Sequence, residues 1–135
     1  MIQNRNLGRG AKSRYFSHHI DLTAGTYQAG CLYSAINDIK IKAVDIIYSV
    51  ASSTHTQGEK VRVGIPTNTN KYVDGTISVS QAIGTVVPQT LLSTALVTKG
   101  TPIIVMKDTI TGTSNTGEID VVIRYELVDT TSPQP

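Results

Sequence analysis

The chain has no tryptophan, one phenylalanine and one cysteine in 135 residues, and only 16% of its residues are charged. With Cys31 alone there is no intrachain disulfide, and the redox compartment cannot be read from it. The low charge content does not fit a chain kept disordered by self-repulsion, nor the Glu-, Lys- and Leu-rich make-up of a coiled coil. No apolar run approaches the roughly 18 residues that span a bilayer. Residues 1–10 are polar with no apolar stretch behind them, and no Asn-x-Ser/Thr acceptor occurs, so no membrane span and no secretory leader are read here.

Valine, isoleucine and threonine are abundant instead, at 13, 15 and 18 residues, about a third of the chain. Their branched Cβ atoms suit a pleated, half-buried surface and lose rotamer freedom in a helix. The length is that of one domain able to bury its own core. Strand signals recur roughly every ten residues, divided by Gly, Asn, Asp and Pro. Phe16, His18, Ile20 and Leu22 alternate with Ser17, His19 and Asp21. Residues 27–36 form a second apolar segment. Ile39 and Ile41 alternate with Lys40 and Lys42, and the apolar phase then flips near Ala43 to Val44, Ile46, Tyr48 and Val50. Such a flip predicts a bulge or a crossing between sheets. Val61, Val63 and Ile65 share a face, residues 66–71 (PTNTNK) read as a loop, and Ile77 and Val79 belong to the next strand. Pro88 divides two weaker segments, the second of which could form one helical turn. Residues 103–106 are a compact buried run. Ile119, Val121, Ile123, Tyr125 and Leu127 give the clearest strand. The expected architecture is all-β: a single antiparallel β-sandwich, jelly-roll-like, with eight or nine strands and no helix-period segment.

The formal charge of +2 conceals an asymmetry. Arg5, Arg9, Lys12 and Arg14 place four cations and no acid in residues 1–14, whereas the remainder holds 8 basic and 10 acidic side chains. Three regions follow: a flexible basic N-terminal arm (1–14), a β-sandwich domain (15–129) and a disordered tail (130–135, TTSPQP). The arm's Ile2 and Leu7 are too few for a core element. Together with Arg5, Arg9, Lys12 and Arg14 they are the residues expected to order against a partner.

The chemical inventory is thin. His18, His19 and Asp21 are the densest group of metal-capable side chains, yet on a strand the two histidines point to opposite faces. His19 and Asp21 share a face, but a zinc site needs a third ligand and His55 is the only other histidine. His18 is expected at the core edge and His19 on the surface. Cys31, in AGCLYSA, reads as a buried, inert thiol. No G-x-S-x-G elbow and no glycine-rich phosphate loop occurs. A carboxylate pair would be invisible in sequence, but the aromatic platforms of sugar-cleaving clefts are scarce. No catalytic residue, cofactor or metal is assigned, and the chain is read as no enzyme. Lys40 and Lys42 read as a solvated face. The near-neutral body makes nucleic acid a poor partner.

From residue 73 to 129 the chain carries, in order, a strand (GTISVS), a long segment with a proline (IGTVVPQTLLSTAL), a Thr-Pro-led apolar strand (TPIIVM), a Ser/Thr/Gly/Asn turn (TITGTSNTG) and a terminal strand (EIDVVIRYELVD). With IKIKAVDIIYSVASS before it, this pattern resembles small β-sandwich virion proteins of tailed bacteriophages, namely capsid decoration (cement) proteins and head-fibre anchoring domains. The resemblance covers residues 16–129 and rests on pattern, without an invariant motif. It implies a non-enzymatic structural virion protein on the capsid surface, assembled in the host cytoplasm. It also implies a homo-oligomer, with a trimer favoured, bound to the major capsid protein or other virion subunits and to no membrane. The basic arm departs from that pattern. The alternatives are a carbohydrate- or receptor-binding fibre module, and a minor coat protein whose arm touches nucleic acid.

Overall fold

A computed structural model describes residues 13–23, 29–53, 59–77, 80–93, 96–109 and 116–128. The five arm residues Ile2, Arg5, Leu7, Arg9 and Lys12, together with His55, Val79, most of the 111–117 turn and the 130–135 tail, lie outside them. Nine strands are present among the described residues: β1 (Arg14–Asp21), β2 (Ala29–Leu32), β3 (Asp38–Val50), β4 (Glu59–Ile65), β5 (Asn68–Ile77), β6 (Val86–Gln89), β7 (Leu96–Val97), β8 (Ile103–Thr109) and β9 (Glu118–Val128). One sheet runs β1-β9-β3-β6, with β7 pairing β3, and the other runs β2-β8-β4-β5. Every pairing is antiparallel. With β7 set aside, two four-stranded sheets are filled by a chain that passes repeatedly from one to the other, which is the jelly-roll arrangement.

The core lies between the sheets. Ile20, Val44, Ile46, Ile119, Val121 and Ile123 of the first sheet meet Val61, Val63, Tyr72, Val73, Ile103 and Val105 of the second, all nearly or completely buried. The phase flip near Ala43 is a β-bulge. The pairing of β3 with β9 slips between Ile41 and Ala43, so Lys42 is the extra residue. Ile39 and Ile41 point inward before it, and Val44, Ile46 and Tyr48 after it. Both halves pair with β9, so β3 stays in one sheet.

Three local expectations are corrected. Residues 66–71 are not a loop: Pro66 and Thr67 alone turn the chain, and β5 begins at Asn68. The tight return works because Gly64 lies against the backbone of Asn68 and Thr69, where any Cβ would collide. Pro88 does not divide two segments but sits inside β6, a sheet-edge strand. Its missing N–H is harmless on the side that carries no partner strand. Residues 103–106 are not uniformly buried: Ile103 and Val105 face inward, whereas Ile104 and Met106 are half-exposed on the outer face. Leu127 continues the alternation of β9 but is 36% exposed.

Lys107 occupies the next inward position after Val105 and is completely buried. Its ammonium donates a long 3.4 Å hydrogen bond to the Leu22 carbonyl; the Thr23 hydrogen bonds, and to a lesser degree the Lys107 charge, hold the neighbouring Asp21 carboxyl below the usual range. Burying such a group offsets much of what its interactions return. A Lys107→Met chain should therefore melt at the same temperature or higher. Lys107→Ala, which leaves a hole between the sheets, should lose about 2 kcal/mol or more. Thermal denaturation of the two variants checks this.

Candidate interaction surfaces

Strand parity decides what each histidine meets. His18 faces the second sheet, and its ring lies directly against the backbone of Gly30 on β2. Its Nε2 is buried with no hydrogen-bond partner in the described structure. Burial, and then the neighbouring His19 charge, hold its pKa below the ordinary histidine value. His19 stands on the outer face beside β9, opposite Asp120. Its Nδ1 donates to Asp120 Oδ1 at 2.8 Å and its Nε2 to Glu118 Oε1 at 2.7 Å. The hydrogen bond to Asp120, then that to Glu118, raise its pKa. Asp21 accepts from the backbone N–H of Thr23 at 2.9 Å and from its hydroxyl at 2.7 Å. Among the described residues no three His, Cys, Asp or Glu side chains are grouped to hold a metal ion.

The raised His19 pKa has a definite sign. The folded chain binds a proton more tightly than the unfolded one, so the stabilisation is complete below the unfolded value near 6.5 and is lost as pH rises through the folded value. Half of the His19 side chain is exposed, and solvent screening limits the effect to about 1 kcal/mol or less. His18 acts in the opposite sense, costing stability as pH falls below 6.5. Melting curves of the parent and a His19→Asn chain should diverge on going from pH 8 to pH 6, with the parent the more stable at the acid end. His18→Asn should narrow the acid-side loss of the parent.

The outer face of the second sheet carries an ion network. Arg62 on β4 donates to Asp108 Oδ2 of β8 at 2.6 Å and to Asp74 Oδ1 of β5 at 3.2 Å, while Lys60 stands 3.5 Å from Asp74. Burial pushes the Asp74 carboxyl up, but the Arg62 hydrogen bond and the two cations outweigh it, and the net shift is downward. Three strands are thus laced together, and the sequence carried no sign of it.

Cys31 is exposed, which corrects the reading of a buried thiol. β2 is an edge strand whose inward positions are Gly30, beneath His18, and Leu32; Cys31 takes the outward position between them. Lys40 and Lys42 are solvated as expected. Arg14, the last arm cation, is exposed at the start of β1 and pairs with Tyr125.

Two features suit partners better than substrates. On the outer face of the first sheet, Val122 neighbours a row in which Ile47 pairs with Val86, and Pro88 stands opposite Asp45. This apolar strip crosses three strands, between Asp45 and the His19–Asp120 pair. The second feature is a cleft of about 210 Å³ between the edge strands β5 and β6, lined by Val73, Asp74, Gly75, Pro88, Gln89, Thr90 and Leu92.

No known family and no curated protein matches the sequence. Solved structures do. A chain of the infectious bursal disease virus Gx strain structure aligns at 12% identity over 90% of this chain and 38% of its own, but its TM-score of 0.27 carries no weight. A chain of the cyanophage Pam1 capsid asymmetric unit aligns at 18% identity over 87% of this chain and 85% of its own, with a TM-score of 0.52, so the two share a fold across nearly their whole lengths.

Proposed function

We propose that the chain is a structural subunit of a virion, with no catalytic role, and specifically a capsid decoration (cement) protein that binds across capsomers and strengthens the shell. The carrying observation is the two-way coverage of the fold match to a protein of the cyanophage Pam1 capsid asymmetric unit. The match spans 87% of this chain and 85% of the other, so the shared fold is that of most of a shell component. The apolar strip over Val122, Ile47 and Val86 is the kind of surface a small domain reserves for neighbours. Half-exposed Ile47 and Val122 lie where a solitary sheet would carry polar groups. In this reading the protein is a homo-oligomer, a cyclic trimer, seated on the major capsid protein. The arm residues Ile2, Arg5, Leu7, Arg9, Lys12 and Arg14 form part of its assembly contacts. The near-neutral body offers little to the phosphate backbone of nucleic acid.

Two measurements test this. Light scattering at tens of micromolar should give a mass above that of the monomer, and a monomer would remove the oligomer. Shells lacking the protein should take it up to a fixed stoichiometry and melt at a higher temperature once decorated. Selective retention on a glycan array, without shell binding, would move the assignment to a receptor-binding fibre module. DNA binding with a steep salt dependence would move it to a genome-contacting coat protein.

A further inference from the structure

The cleft between β5 and β6 is a partly open sheet edge. Tyr72 sends its carbonyl outward to the N–H of Leu92, at 2.9 Å. In an antiparallel strand alternate residues direct both backbone groups to the same side, so Asp74 and Thr76 also direct theirs away from β4. β5 ends its sheet, and no backbone partner meets Asp74 or Thr76 among the described residues. The facing edge, β6, is blunted by Pro88. Gly75 leaves the floor low enough for the Gln89 side chain to lie across it, and Leu92 and Pro88 supply apolar walls. The Asp74 carboxylate stands on the rim, already shared between Arg62 and Lys60. Backbone groups on offer and apolar walls describe a seat for an extended segment that carries a few apolar side chains.

We infer that the seat takes the N-terminal arm of a second copy of this chain, adding a short strand to β5 with Leu7 or Ile2 against Pro88 and Leu92. This rests on the reading of the arm as an assembly contact. The composition fits: residues 1–12 include Ile2 and Leu7 for the apolar walls. The placement fits as well. The arm leaves from β1, at the edge of the first sheet opposite β6, three strand spacings of about 4.8 Å away. Twelve extended residues reach about 40 Å, enough to cross to a neighbour. Donor and acceptor lie on opposite sides of the sandwich, so successive copies join head to tail. Such contacts close into a ring when the rotation allows it.

The test uses full-length chains carrying one cysteine each. A Cys31→Ser, Leu7→Cys chain is mixed with a tagged Cys31→Ser, Thr90→Cys chain under mild oxidation, so that the hetero-disulfide can form only between copies. In a parallel reaction the acceptor is the parent chain, whose exposed Cys31 lies on β2 at the far edge from β5. The hetero-product with Thr90→Cys should form at least ten times faster than that with Cys31, and Leu92→Cys should behave like Thr90→Cys. Equal rates for both acceptor sites would overturn the inference. Shell binding plays no part in this readout, so the virion reading and the cleft assignment can fail separately.

Discussion

A Gly117→Ala chain should lose roughly 2–4 kcal/mol of stability. Gly117 holds φ at +114°, where an L side chain is strained, and an added Cβ would lie 2.8 Å from Ser52 Cα and 3.0 Å from the Ala51 carbonyl oxygen. Neither neighbour is a flexible side-chain tip that could swing aside. The Gly117 carbonyl also accepts the Leu22 N–H at 2.9 Å, so moving the backbone to relieve the collision breaks the link between the end of β1 and the start of β9. Gly84 and Gly100 also have positive φ, but with open space around them. Alanine there should cost only the conformational share, about 1–2 kcal/mol. The comparison separates strain from collision, and urea denaturation of the three variants at neutral pH measures both.

Removing residues 1–12 should act in the opposite way, with little effect on folding and a large one on assembly. The buried core draws on residues from Ile20 to Ile123. The melting temperature of the truncated chain should stay within a few degrees of the parent, while the oligomer and shell attachment weaken at least tenfold. Fully immobilising 12 residues costs on the order of 12–24 kcal/mol of backbone entropy. Exposed ion pairs return only about 0–1 kcal/mol each, so the arm's cations cannot drive docking alone. Backbone hydrogen bonds and burial of Ile2 and Leu7 must supply the rest. Replacing the arm cations with glutamine should therefore weaken assembly less than truncation does, and by an amount that shrinks as salt rises. Truncation that lowers the melting temperature sharply and leaves the oligomer intact would assign the arm to the fold.

Where a local rule decides an outcome, the chain could be read directly. The phase flip near Lys42 called for a bulge or a crossing between sheets, and the pairing of both halves of β3 with β9 makes it a bulge. Adjacent histidines on a strand must part, so His18 and His19 met different surroundings. The misreadings arise where the environment comes from elsewhere in the chain. Apolar neighbours in sequence suggested a buried Cys31, but β2 is an edge strand with an outward side. Pro88 looked like an interruption because a strand with no partner on one side cannot be recognised from its own residues. Glu118 and Asp120 lie 99 and 101 residues from His19, and the Arg62 network spans three strands. Lys107 follows the 103–106 run, and the alternation from Ile103 through Val105 points it inward.

The proposed shell role is decided by imaging shells of the virus that encodes this chain, with the protein absent and then restored. Additional density of this size is expected at regular capsomer positions, at full occupancy and on the outer surface, only when the protein is present. Shells that are identical with and without saturating protein would contradict it.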